Sequence, residues 1–218
     1  MDAAGALLAH QSLSSPVDLL GALFIVAVLP VLAVSMTSFT RIIVVLGLLR
    51  ASFGTAALPP TPVLVALALM LSAAIMAPTL SAISQQAIVP YQAHQIRVSQ
   101  AIERAERPLS SFMARQTRSN EIRAFARIAR VQLVTGQPVP IVVLVPAFLT
   151  SELRAAFAMG FALALPFAVI DLLVAVVLMS LGMFMVSPNA ISLPIKLLLF
   201  VAADGWTLVA TALAASFR

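Results

Sequence analysis

Hydrophobic positions run in long unbroken blocks rather than in alternation, so the chain predicts helices and no strands. Residues 19–40 carry no charge and are long enough for a helix to cross the ~30 Å hydrocarbon layer of a bilayer, with Pro30 placed to kink it. Apolar residues resume after Arg41 through 42–49, so this helix is expected to continue to Arg50. Gly54 and the cluster Pro59-Pro60-Thr61-Pro62 then turn the chain. Residues 63–83 form a second uncharged run, in which Pro78 predicts a kink or an early end. Residues 1–83 thus read as one helical hairpin with its leading segment.

The pattern changes over about 84–137, where helical periodicity comes with polar faces. Ile122, Phe125, Ala129 and Gln132 fall along one face, and Arg123, Arg127 and Arg130 along another. Gly136-Gln-Pro138-Val-Pro140 ends this module. A third helix is predicted from near Pro146 to about Met185, a tip at Ser187-Pro188-Asn189, and a fourth helix over 191–217. The expected fold is all-α: two long helical hairpins, 1–83 and 141–218, joined by a basic helical module over 84–140.

Composition sharpens the class. Hydrophobic residues make up 61% and charged residues 10% of the 218, against about 45–50% and about 25% in soluble domains. The chain therefore reads as a membrane protein or one that folds inside a large assembly. There are no cysteines, which excludes disulfides and thiolate metal sites. Between residues 97 and 130, eight arginines face three glutamates, an excess that equals the net +5 of the whole chain. Only Phe112 and Phe125 are interleaved with these arginines, too few to stack bases, so no nucleic acid partner is expected. The first 18 residues lack the positive start of a secretory signal, and none is expected there.

Ionisable groups inside the second hairpin are the most informative positions. Asp171 interrupts an apolar stretch, where an unpaired carboxylate costs about 2.5–3.5 kcal/mol on insertion scales. It must face protein, water or a cation. Asp171, Asp204 and Arg154 are all expected to be buried charges. Asp171 and Asp204 stand at similar distances from the tip, on opposite arms. Glu152 and Lys196 are separated along the hairpin by about 40 Å, so a Glu152–Lys196 pair would have to join two subunits. Structural ion pairing and a conduction or gating role both fit these charges. Met179, Met183 and Met185, with Phe184 among them, precede the tip. They fit either core packing or a pliable seal around objects of varied shape.

Catalytic groups are not assembled. The two histidines, His10 and His94, are far apart, Lys196 is the single lysine and follows no Gly-rich loop, and no G-x-S-x-G occurs. Glu103 and Glu106 lie on an arginine-rich helix, where surface pairing, as of Glu103 with Arg107 at i, i+4, is the expected use rather than acid–base chemistry. No enzyme activity, metal or cofactor is expected.

Taken in order, the segments resemble a known family. Thr37-Ser-Phe-Thr40-Arg41-Ile-Ile-Val-Val-Leu-Gly-Leu-Leu-Arg50 resembles the first-hairpin signature of the FliP family. Pro146-Ala-Phe-Leu-Thr-Ser-Glu152-Leu, Leu165-Pro-Phe-Ala-Val-Ile-Asp171, Leu178-Met-Ser-Leu-Gly-Met183-Phe-Met185, Ile191-Ser-Leu-Pro-Ile-Lys196-Leu and Asp204-Gly-Trp206 are similar in the same order. The resemblance implies a homo-oligomer of several copies that builds, with FliQ-like and FliR-like subunits, the export gate of the flagellar type III secretion apparatus. Such a gate passes unfolded flagellar export substrates across the bacterial inner membrane at the flagellar basal body. It implies that Met179, Met183, Phe184 and Met185 form a pore gasket. It also implies contact with membrane lipid and with other export-apparatus proteins, and an arginine-rich module on the periplasmic side. An injectisome export gate and an ion or solute channel built on Asp171 are the competing expectations.

Overall fold

A computed structural model describes Leu20, Leu23, Ala27, Val31 and residues 34–217 apart from 56, 57 and 135. Two compact units result, Met1–Ser35 and Met36–Arg218. In the first, the described residues Leu20, Leu23, Ala27, Val31, Val34 and Ser35 are helical, and Ser35 Oγ donates to the Val31 carbonyl at 2.7 Å. Pro30 and the leading segment lie outside the described residues.

Within the second unit the helices are α1 (Phe39–Ser52), α2 (Thr61–Ile83), α3 (Val89–Gln92), α4 (Val98–Gln116), α5 (Ser119–Ile128), α6 (Ile141–Ser180), α7 (Pro188–Ala202) and α8 (Gly205–Ala215). No strand occurs among the described residues, so the chain is all-α as expected. Residues 36–38 form a turn, and the helix expected to run unbroken through Arg41 begins instead at Phe39. Thr37 Oγ1 accepts from the Phe39 amide at 3.4 Å, the local hydroxyl-to-backbone competition that disfavours helix.

Helix α1 is the centre of the unit. Ile42, Val45, Leu46 and Leu49 recur at helical spacing and are buried against α2, α6, α7 and α8. Each contributes about 1.5–3 kcal/mol of gross burial. Gly160 on α6 admits α1 closely, since a Cβ there would stand 2.4 Å from Leu48 Cδ1. Phe53, just past α1, meets the rings of Phe167 and Phe200 edge-on at 5.1 and 5.3 Å. A second cluster of Met76, Phe112, Met113, Leu144 and Phe148 binds α2, α4 and α6 together.

Pro78 does not end α2, which runs on through a π-helical turn at Ser84–Ile88 into α3. Helix α6 starts five residues before Pro146, directly after Pro140, and carries Pro146 and Pro166 inside its 40 residues, a length of ~60 Å. It stops at Ser180, short of the predicted Met185. The reason is Gly182, at φ +73, which closes a Schellman cap: the Met183 amide donates to Leu178 O at 2.9 Å and the Gly182 amide to Met179 O at 3.1 Å. The expected fourth helix is broken at Asp204, which sits in the left-handed region at φ 49, and α7 and α8 are bent by 65°. Thr61–Gln92 and Ile141–Ser180 are each long and apolar enough to cross a membrane, and α7 with α8 adds a third such span if counted as one. The chain is a membrane protein.

Candidate functional site

Arg41 is the second residue after the start of α1, and its side chain is buried among polar groups from three other elements. Its Nε donates to Glu152 Oε2 at 2.8 Å and its Nη2 to Glu152 Oε1 at 2.5 Å. Nη1 donates to the carbonyl and to Oγ of Ser216, both at 2.9 Å, and the guanidinium stacks 3.8 Å from the centre of the Phe217 ring. Gln116 joins from the end of α4, donating Nε2 to the Phe217 carbonyl at 3.1 Å. One arginine therefore ties α1, α4, α6 and the end of α8 together. The fork geometry of guanidinium against carboxylate suits Arg and not Lys.

A second network lies at the other end of α1. Lys196 Nζ donates to Asp171 Oδ2 at 2.6 Å and to the Ser52 carbonyl at 3.0 Å. Ser192, one turn earlier on α7, donates to Asp171 Oδ1 at 2.6 Å. The Lys196 side chain is 1% exposed and that of Asp171 45%, so the lysine stem is buried and the carboxylate rims the surface. Both Asp171 oxygens are engaged, which offsets the insertion cost of the carboxylate.

These partners correct the inter-subunit pairing of Glu152 with Lys196. Glu152 is bound on both oxygens by Arg41 of its own chain and its side chain is 0% exposed, leaving no face for a neighbour. Lys196 is equally enclosed and held by Asp171. The expectation of buried charges at Asp171, Asp204 and Arg154 is corrected too. Arg154 is 65% exposed and donates to Glu121 Oε1 of α5 at 3.3 Å. Asp204 is exposed, accepting from Thr207 Oγ1 at 3.1 Å where the backbone reverses between α7 and α8. Among the described residues, burial of charge falls on Arg41, Glu121, Glu152 and Lys196. Thr40 is half-buried beside Arg41, and Arg50 closes the α1–α2 connection by donating to Thr61 Oγ1 at 2.8 Å.

The methionine segment is carried outward by the end of α6. Met179 stands in its last turn, and Met183, Phe184 and Met185 follow in the turn before α7; all four are exposed, Met185 fully. None contributes to either buried cluster. Ser192, Asn189, Gln116 and Ser216 are members of these sites that residue patterns alone did not single out. Ser192 carried a signal: a hydroxyl four residues before the only lysine places both on one face of an apolar helix.

The FliP family model matches residues 22–213. The chain is 48% identical to a flagellar biosynthetic protein FliP of Pectobacterium carotovorum subsp. carotovorum over 95% of this chain and 81% of the relative. It is 45% identical to a protein of that name from Buchnera aphidicola subsp. Acyrthosiphon pisum, covering 55% of that longer relative. It is 43% identical to another from Bacillus subtilis strain 168, covering 94% of it. The matched stretch contains both ion pairs, Arg41–Glu152 and Lys196–Asp171, and the methionine segment, and with a helical membrane architecture around them the chain belongs to the FliP family.

Proposed function

We propose that this chain is a non-enzymatic structural subunit of the flagellar protein export gate in the bacterial inner membrane, and that copies of it line the path of unfolded export substrates. Relatives named for flagellar biosynthesis, aligned over nearly the whole chain, support the flagellar assignment. The observation that carries the gating role is the exposed segment with Met179, Met183, Phe184 and Met185 at the end of a 40-residue apolar helix. Flexible thioethers and one ring, brought together from several copies, form a seal that yields to chains of varied shape. An apolar row on α6, including Phe157, Phe161, Leu165 and Leu172, is exposed in the single chain and is covered in this reading by sister copies, by FliQ-like and FliR-like subunits or by lipid. The arginine-rich module belongs on the periplasmic side.

The ion-channel reading centred on Asp171 is less well supported, because Lys196 and Ser192 occupy both of its oxygens. The test is small-molecule leak across the inner membrane in cells carrying Met183→Ala and Met185→Ala. Raised leak is expected, and unchanged leak with normal gate assembly would return the segment to a packing role.

A further inference from the structure

Just past the end of α1, a small polar contact joins the chain to the start of α7. Gly54 follows α1 at φ +81, and its carbonyl accepts a hydrogen bond of 2.9 Å from Asn189 Nδ2. Glycine suits the left-handed backbone there, and a Cβ would crowd the Asn189 side-chain amide and displace it from the bond. Asn189 is the second residue of α7 and lies two positions beyond the exposed turn at 181–187. Along the same face of α7, Ser192 and Lys196 continue the seam onto Asp171 and the Ser52 carbonyl. The other end of the turn is held differently, by the Schellman cap that α6 makes with its own Gly182. Among the described residues, the backbone bonds of the turn itself reach only the last turn of α6 and, through the Ser187 carbonyl, the Ala190 amide at the start of α7.

The methionine turn is therefore fixed at its entry by local helix capping and at its exit by a bond to another element. Asn189 is exposed whereas Lys196 is buried, so the seam is strong at depth and weak at its rim. A net hydrogen bond of this kind shifts an equilibrium by about 2- to 12-fold. We propose that the Asn189–Gly54 bond is a clasp that positions the 181–187 turn, and that its release frees the turn while α7 stays anchored at Lys196. Asn189 and Gly54 are positioning residues for the methionines. The inference builds on the sealing role given to this turn, yet the position of the turn is measurable without that role.

The absence of cysteine gives a clean background for one spin label. Met185→Cys is labelled in the full chain purified from membranes with its accompanying subunits, and label mobility is read by electron paramagnetic resonance. Asn189→Ala is expected to raise the ratio of mobile to immobile label about five-fold. Asn189→Asp, which keeps the shape and loses the donor, is expected to match it, as a mere packing role would not. Gly54→Ala moves the ratio the same way, while a label at Ile128→Cys on α5 stays unchanged. Unchanged mobility at position 185 in both Asn189 variants overturns the clasp. Leak is measured in parallel: a mobile label with unaltered leak keeps the clasp and overturns the seal, and an unaltered label with raised leak does the reverse.

Discussion

Removal of Arg41 is the perturbation with the largest effect calculable from this fold. In Arg41→Met the Glu152 carboxylate keeps its place at 0% side-chain exposure and loses both of its donors. Stranding one member of a buried ion pair costs about 3–5 kcal/mol. Loss of the stack on Phe217 adds about 0.5–2 kcal/mol, and the Ser216 carbonyl and hydroxyl lose the guanidinium donor they share. Glu152→Leu strands the guanidinium with a comparable penalty. The double variant Arg41→Met with Glu152→Leu removes both charges and is expected within about 2 kcal/mol of the native chain, because an apolar pair of similar volume replaces a costly desolvated one. For a chain of this size about 1 kcal/mol corresponds to about 2–4 °C. Each single variant should therefore melt about 6–20 °C lower, and the double should recover most of that loss. The single tryptophan, Trp206, whose ring lies 5.1 Å from that of Phe200, reports unfolding by fluorescence in detergent. A double variant as unstable as the sum of the singles would mean that Arg41 and Glu152 do not meet, and the cross-brace would be refuted.

Other consequences follow from the same geometry. Asp171→Asn should destabilise more than Lys196→Met, because the first leaves an ammonium that is 1% exposed and the second leaves a carboxylate that is 45% exposed; the same melting assay ranks them. Gly160→Ala should cost about 1–3 kcal/mol by forcing α1 and α6 apart at Leu48, and Leu48→Ala in the same chain should restore part of it. Gly182→Ala, at φ +73 with open space around it, should cost about 1–2 kcal/mol through backbone strain alone and speed proteolytic cleavage within 181–187. An unchanged cleavage rate would show that the cap does not hold that turn.

What the sequence made legible was one-dimensional. Charge-free runs marked the long helices, Gly54 marked the end of α1, and the i, i+4 spacing of Glu103 and Arg107 gave a surface pair found at 2.7 Å. The pairing of Glu152 failed because axial distance along one hairpin says nothing about a helix from the other. Arg41 is 111 residues away and reaches Glu152 only because α1 packs on α6. The break at Asp204 was hidden for a different reason. An aspartate within apolar residues reads as a buried charge, yet here it takes the left-handed backbone that Asp tolerates better than most residues, and points outward. The methionines were legible as a cluster, but whether they face a core or the outside depends on where α6 stops, and one glycine decides that.

The two polar networks stand near opposite ends of α1, ~17 Å apart along the helix from Arg41 to Ser52. Between them Ile42, Val45, Leu46 and Leu49 pack on apolar side chains, mostly aliphatic with Phe167 and Phe200 among them. Among apolar surroundings, whether lipid or sister subunits, such contacts have no strong preference for one helix register over another, since sliding α1 by a turn exchanges one aliphatic surface for another. Arg41 on Glu152 at one end and Ser52 and Gly54 under Lys196 and Asn189 at the other admit a single register, because a slip of one turn would leave buried charges unpaired. The polar pairs thus fix where α1 sits, and through it where α6 and α7 present the methionine turn. A chain with this much exposed apolar surface needs such internal reference points more than an ordinary soluble domain does. This places the sensitivity to mutation at Arg41, Glu152, Lys196 and Asp171, away from the methionines whose position they set.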